Sequence, residues 1–298
     1  MEIVREPRAL QAWADRARAA GRRIALVPTM GALHDGHVAL VDEARRRADL
    51  VVVSIFVNPT QFGPGEDFAA YPRPFEADLE RCRAAGVDVV FAPAPEALYP
   101  PGHQTFVDVE RVSKPLCGAS RPGHFRGVAT VVTKLWLAAK PHVSLFGEKD
   151  YQQLALLRRL ALDLGFDLEV VGVPTVREPD GLARSSRNVF LDAETRAQAL
   201  ALRRALRAAE DAVAAGERDG AALLAGVRRE LAKAPLAEVD YAELRDAETL
   251  EPAPARLDGP TLLALAVRFP AESSPRGVRL IDNTVLRPAA ESAEGASS

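Results

Sequence analysis

Five short and almost uninterrupted apolar runs punctuate the first 175 residues: Ile24 to Val27, Leu50 to Val57, Val87 to Phe91, His142 to Phe146 and Leu168 to Val173. Stretches with apolar residues at helical spacing alternate with them, at Pro7 to Ala20, Val38 to Ala48, Phe75 to Ala85, Val128 to Ala139 and Tyr151 to Leu164. A strand that is apolar at nearly every position must be covered on both faces. A parallel sheet with crossover helices provides that cover. Gly21, Gly86 and Gly165 stand where three of the helices should end. The expectation for residues 1–175 is a Rossmann-like, doubly wound parallel α/β domain, with Thr105 to Val109 as a weaker candidate for one more strand.

After Pro174 the pattern breaks. Thr175 to Asn188 is polar and basic, with Pro179 and Gly181, and reads as a functional loop or hinge. Two Ala-, Arg- and Leu-rich helices follow, at Ala193 to Ala215 and Gly220 to Ala234. Strand-like runs come next, at Val239 to Leu244, Thr261 to Arg268 and Arg279 to Asn283, so residues 176–288 should form a small α+β C-terminal domain acting as a lid. Residues 289–298 lack an apolar anchor and are expected to be disordered.

Composition enters as exclusion. With 298 residues, 48% hydrophobic and 27% charged, the chain has the make-up of about two globular domains, neither fibrous nor disordered. Its net charge of -3 gives no basic surplus for coating nucleic acid or anionic membrane, so neither partner is expected and any polyanion must sit in a local pocket. Cys82 and Cys117 are too few for a disulfide framework or a zinc site. Residues Met1 to Pro7 lack a secretion pattern and no apolar run reaches membrane-spanning length, which makes a cytoplasmic location the expectation.

Four segments carry candidate chemistry. Pro28-Thr29-Met30-Gly31-Ala32-Leu33-His34-Asp35-Gly36-His37 joins the first strand to the next helix, the usual ligand crevice of an open α/β sheet. Its His-x-Gly-His sets two imidazoles beside a helix N-terminus that favours phosphate, with Gly31 and Gly36 allowing close backbone approach. The plainer possibility is that Asp35 is only a helix cap and the histidines pack or face solvent. Phe146-Gly147-Glu148-Lys149-Asp150-Tyr151-Gln152-Gln153 lies at another strand end and converges on the same crevice, with Lys149 a compact phosphate-directed charge unless its neighbours merely begin a helix. Arg184-Ser185-Ser186-Arg187-Asn188 offers hydroxyls and guanidinium groups for the leaving half of a triphosphate, or is an ordinary polar loop. In Ser54 to Gly63, Asn58 and Gln61 are neutral partners for a small hydroxylated substrate, or parts of an Asn-Pro turn.

In this order, and from Ile24 to Asn283, these elements closely resemble the pantothenate synthetase (pantoate–β-alanine ligase) family of the nucleotidyltransferase superfamily. His-x-Gly-His alone marks only the superfamily; Val57 to Gly63, Gly147 to Gln153, Val173 to Glu178 and Ser185 to Asn188 make the match specific. The resemblance implies that pantoate attacks the α-phosphorus of ATP, releasing pyrophosphate, and that β-alanine then displaces AMP from pantoyl adenylate. It places Met30, Gly31, Ala32, Leu33, His34, Asp35, Gly36, His37, Gly147, Glu148, Lys149, Asp150, Val176, Arg184, Ser185, Ser186 and Arg187 around ATP. His37 is then the catalytic acid, with His34, Lys149, Ser186 and Arg187 stabilising developing charge. Gln61 and Gln153 would hold pantoate, supported by Asn58 and Arg121. Mg2+ bridging the outgoing phosphates and a homodimer through the larger domain are implied as well.

Two positions depart from the family pattern. Arg184 stands where an apolar residue commonly precedes Ser-Ser-Arg, so it either alters the adenine side of the pocket or points to solvent. Glu76-Ala77-Asp78 replaces adjacent acids, and no protein ligand for the metal is assigned. An adenylyltransferase, or an enzyme activating another acid, could share His-x-Gly-His and the Ser-rich loop; a nucleotide-binding module without catalysis is the remaining alternative. The intact set His34, His37, Lys149, Ser186 and Arg187 and the acidic net charge argue against the last.

Overall fold

The structure is a computed structural model that describes residues 1–64, 66, 68–271 and 274–289. In chain order its first elements are β1 (Glu2–Val4), α1 (Pro7–Ala19), β2 (Ile24–Thr29), α2 (Asp35–Arg47), β3 (Leu50–Ile55), α3 (Phe75–Ala84) and β4 (Val89–Phe91). Then come α4 (Pro95–Leu98), α5 (Cys117–Ser120), α6 (His124–Ala139), β5 (Val143–Gly147), α7 (Tyr151–Asp163) and β6 (Glu169–Val173). All six strands are parallel, in the order β1-β4-β3-β2-β5-β6. Both faces are covered, as the unbroken apolar runs require: Ile24, Ala25, Leu26 and Val27 are all fully buried. Ala25 and Val27 pack with Leu40, Val41 and Ala44 of α2 and Leu79 and Cys82 of α3.

The remaining elements are α8 (Ala193–Ala199), α9 (Ala201–Ala214), α10 (Gly220–Leu231), β7 (Glu238–Asp246), β8 (Thr261–Ala271) and β9 (Ser274–Leu286). The three strands form an antiparallel sheet with β8 at its centre. Its core joins Leu202 and Leu206 of α9 and Val227 of α10 to Leu263, Leu265 and Phe269 of β8. The contacts divide the chain into Met1–Arg177 with Arg184–Ser186, and Glu178–Ala183 with the residues from Arg187 onward. The expected single crossing after residue 175 is thus three crossings. Hydrogen bonds explain why 178–183 goes with the second unit: Asn188 Nδ2 donates to Glu178 Oε1 at 2.7 Å and Ala183 O at 3.1 Å, and Arg196 pairs with Glu178 and with Asp180.

Four local expectations are corrected. Thr105 to Val109 forms no strand, because Val107 N donates instead to Thr130 Oγ1 on α6 at 2.9 Å and Phe106 lies beneath the Arg126 guanidinium. β1 is a three-residue strand, too short for a periodicity to register. Helices α2 and α6 begin three and four residues earlier than expected, at Asp35 and His124, so His37 and Gly127 are helical. The span 193–215 is two helices meeting at Leu200. Apart from Ala289, the expected disordered tail lies outside the described residues. No helix among the described residues is long and apolar enough to cross a membrane.

Candidate active site

Strand β2 pairs with β5 only at Ala25 and Leu26, whereas it keeps its register with β3 as far as Thr29 opposite Ile55. Pro28, which has no N–H to donate, stands where β2 has already parted from β5. The sheet therefore opens at the point where its strand order reverses, and the loops leaving β2 and β5 flank the crevice. This brings the first two sequence motifs to one place.

The loop after β2 is tied down from below. Thr29 Oγ1 donates to Ser54 O at 2.6 Å and accepts from Gly31 N at 3.1 Å. The buried Asp78 of α3 accepts from Ala32 N at 2.9 Å and Leu33 N at 2.7 Å. Gly31 has φ +81°, and a Cβ there would lie 2.9 Å from Asp78 Oδ2 and 3.1 Å from Ile55 Cγ2; at Gly36 it would lie 2.9 Å from the His34 ring. The two glycines expected to admit a ligand instead make room for Asp78 and His34. With the Ala32 and Leu33 amides engaged by Asp78, a phosphate must find its donors elsewhere in the loop.

Those donors are the imidazoles. His34, rather than Asp35, is the helix cap: its Nδ1 accepts from Gly36 N at 3.1 Å, and its own N–H donates to His37 Nδ1 at 3.2 Å. In both rings Nδ1 is thus an acceptor, which leaves the proton of each neutral imidazole on Nε2. The rings stack obliquely with centroids 4.1 Å apart. Asp35, exposed in the first turn, is bracketed by Arg184 at 3.2 Å and Arg81 at 3.8 Å. Arg184 is therefore directed to the helix start by an ion pair, the role its unusual position left open.

Burial, then the charges of Lys149, Arg184 and Arg81, lowers the pKa of His34 to about 4, with Asp35 opposing. Burial, the neighbouring His34, Lys149 and Arg81 lower that of His37 to about 3. Cations from three separate segments thus act on the pair. Burial and Arg121 likewise bring His124 to about 4. The unfolded chain takes up protons as the pH falls through the ordinary value of 6.5, while the folded protein refuses them to about 4 or lower. Stability should therefore be complete above pH 6.5 and be lost as the pH falls toward 4, with a slope approaching about 1.4 kcal/mol per pH unit for each histidine. Urea midpoints measured across that window check this; a flat profile would contradict neutral, buried imidazoles.

Beside the histidines, a second network orients Gln61. Asn58, 1% exposed, donates from Nδ2 to Gln61 Oε1 and to Gly127 O, both at 3.1 Å, and its Oδ1 accepts from Tyr99 Oη at 2.9 Å and Thr60 Oγ1 at 2.9 Å. Gln61 Nε2 donates to Met30 Sδ at 3.1 Å, which joins this turn to the first motif. The Gln61 carbonyl faces His124 Nδ1 at 2.8 Å and Arg121 Nη2 at 3.4 Å. Asn58 thus holds Gln61, which retains an amide hydrogen and a lone pair for a ligand. Arg121 is clamped by both carboxylate oxygens of Glu66 at 2.7 Å. Burial would raise the pKa of Glu66, but Arg121 and the Gly63 amide take it down to about 2.

Gly147 ends β5, with Glu148, Lys149 and Asp150 in the turn into α7; Lys149 lies 3.8 Å from Asp150. Gln153 is half-buried on the first turn of α7, while its neighbour Gln152 is buried and spent on the Val112 and Pro115 carbonyls and the Cys117 amide. Arg184 N bonds to Val176 O at 2.9 Å, so these two residues adjoin; Ser185 and Ser186 belong to the first unit and Arg187 to the second. Sequence reasoning missed Asp78, Arg81, Glu66 and His124. An Asp and an Arg three residues apart on α3, at a turn of helical spacing, was the one available signal.

The pantoate-beta-alanine ligase family model matches residues 2–285. A pantothenate synthetase of Geobacter sulfurreducens is 56% identical over 286 residues, covering 96% of this chain and 99% of that protein, and one of Salinibacter ruber is 54% identical over 96% and 98%. The crystal structure of pantothenate synthetase from Thermus thermophilus superposes with a TM-score of 0.90 at 47% identity, covering 97% of this chain and all of that one. A pantoate-beta-alanine ligase from Francisella tularensis, crystallised with beta-gamma ATP and beta-alanine, matches with a TM-score of 0.74 at 31% identity, over 96% and 97% of the two chains. With its reversing parallel sheet, its paired histidines and a match running nearly end to end, this chain belongs to the pantoate-beta-alanine ligase family.

Proposed function

We infer that the chain joins pantoate to β-alanine at the expense of ATP, giving pantothenate, AMP and pyrophosphate through pantoyl adenylate. The observation that carries this reading is the pair of histidines whose Nδ1 atoms cap the start of α2 at the open end of β2 and leave two Nε2–H donors, with Lys149, Arg184 and Arg81 charging the same place. A carboxylate is already ionised at neutral pH, so in-line attack on phosphorus needs alignment and charge stabilisation rather than a base. A pantoate oxygen bonds to the α-phosphorus as the bond to the β-phosphate bridge breaks. His34 and His37 meet the growing negative charge with fixed Nε2 hydrogens, His37 as the group assigned to donate to it. Lys149, Ser186 and Arg187 are assigned to the departing pyrophosphate, and Gly147, Glu148, Asp150, Val176 and Ser185 to the remaining ATP contacts.

Gln61 and Gln153 are assigned to pantoate, with Asn58 as the group that aims Gln61 and Arg121 as a supporting charge. The second unit serves as the lid that keeps water from the adenylate. Among the described residues no three His, Cys, Asp or Glu side chains gather as a metal cage. Asp35 and Asp78 are engaged by arginines and amides. Mg2+ would arrive with ATP as part of the substrate, its ligands phosphate oxygens and water. A homodimer and a cytoplasmic location complete the reading, carried by the family resemblance and by two cysteines outside any disulfide.

The test is exchange of labelled pyrophosphate into ATP with pantoate present and β-alanine left out. Pantoate-dependent exchange is expected; if neither exchange nor, with β-alanine added, AMP release occurs, the reading is discarded. Gln61→Ala should raise the KM for pantoate about tenfold or more while leaving ATP binding intact. Loss of ATP binding alone would reverse the assignment of the pocket.

A further inference from the structure

Gly31 at φ +81° and Ala32 at φ 49° are consecutive left-handed residues, and Ala32 carries a Cβ that makes this conformation costly. Successive amides in such a turn form a concavity that binds anions. Here the two amides of that concavity, Ala32 N and Leu33 N, each point at one oxygen of the Asp78 carboxylate. Asp78 is 2% exposed, and Gly31 leaves no room for a side chain between itself and Asp78. The same loop leads directly into His34, whose backbone N–H fixes the tautomer of His37.

Resting on the function proposed above, we propose that Asp78 is a positioning residue: its carboxylate fills the anion-binding turn at residues 31–33, so that the loop is formed before ATP arrives and the phosphates are directed past it to His34 and His37. It touches no substrate. Its work is to hold a strained turn and to deny phosphate an unproductive seat. Ion-paired on α3 it would have been unremarkable; buried against two amides of the phosphate loop, it controls where a polyanion can settle.

This makes turnover and ATP affinity move separately. In Asp78→Ala the turn is emptied of its anion, so pantoate-dependent exchange should fall about ten- to a hundredfold, while the Kd for ATP by titration calorimetry stays level or tightens. Formate, a carboxylate small enough for the vacated space, should then restore exchange saturably in Asp78→Ala and leave the wild-type protein unaffected. Exchange equal to wild type in Asp78→Ala, or a slow variant on which formate has no effect, would overturn the proposal, as would a parallel loss of ATP affinity, the mark of a structural defect. If Asp78→Ala does not fold, Asp78→Asn decides: a carboxamide accepts from only one of the two amides, so a tenfold or greater loss at unchanged Tm supports the role and full activity refutes it. The wild-type control separates the two readings. Wild type that binds ATP but shows no pantoate-dependent exchange sinks the proposed substrate, and the formate effect on ATP affinity of Asp78→Ala still tests the turn.

Discussion

His37→Asn should slow pantoate-dependent pyrophosphate exchange by roughly 10²–10³-fold while leaving the fold and the melting temperature nearly unchanged. The two effects separate because the His37 ring does two jobs with its two nitrogens. Nδ1 accepts from His34 N and completes the start of α2; an asparagine Oδ1 can take over that bond. Nε2 carries the ring's proton, and asparagine has nothing at its position. Removal of one preorganised donor from a developing oxyanion typically costs about 2.7–4 kcal/mol of barrier. Glutamine, whose amide nitrogen reaches near Nε2 but which loses the cap, should reverse the pattern, keeping more activity at lower stability. If His37→Asn turns over normally, the imidazole is a helix cap and nothing more.

Gly127→Ala should cost stability and weaken pantoate binding at the same time. An added Cβ would stand 2.4 Å from Thr60 O, 2.5 Å from Thr60 C and 2.6 Å from Gln61 N, all of them backbone atoms with no rotamer to yield. Helix α6 and the turn at Pro59–Gln61 would have to separate. Overpacking of this kind costs about 1–3 kcal/mol or more. Because Asn58 bonds both to Gly127 O and to Gln61 Oε1, the shift passes to Gln61, the side chain assigned above to pantoate. The expected result is a melting temperature lowered by several degrees, a raised KM for pantoate and an ATP affinity close to normal. Gly226→Ala on α10 is the control: its nearest neighbour is the flexible end of Arg229 at 3.6 Å, and it should gain up to about 1 kcal/mol. Equal behaviour of the two variants would mean that α6 can back away freely.

How far the sequence could be read depended on whether the deciding contacts were local. The parallel sheet was legible because strands buried on both faces, such as Ile24 to Val27, carry no polar position to blur the pattern. The segment from Pro28 to His37 was legible as a candidate site because it joins a buried strand to a helix and carries two histidines. The start of α2 was not, since histidine is outside the usual set of capping residues. Nor was the purpose of Gly31: the carboxylate it makes room for is Asp78, 47 positions along the chain and on the helix α3. The tie between Arg121 and Glu66 was not legible either, since Glu66 lies in an irregular loop with no period to betray it. Thr105 to Val109 shows the opposite failure, a strand-like composition whose central amide, Val107 N, is bonded to Thr130 of α6 instead.

The backbone bonds that hold both imidazole Nδ1 atoms as acceptors bear on the second half of the reaction, where no phosphorus is attacked. With their protons confined to Nε2 and their pKa values far below neutrality, neither histidine is available to take a proton from the incoming amine. The proton of the β-alanine amine is then expected to leave by a route other than these two rings, to water or to the departing phosphate among others. The rise of amide formation with alkalinity would accordingly trace the nucleophile's own ionisation, so an amine of lower basicity should move that profile while replacement of either histidine leaves its midpoint in place.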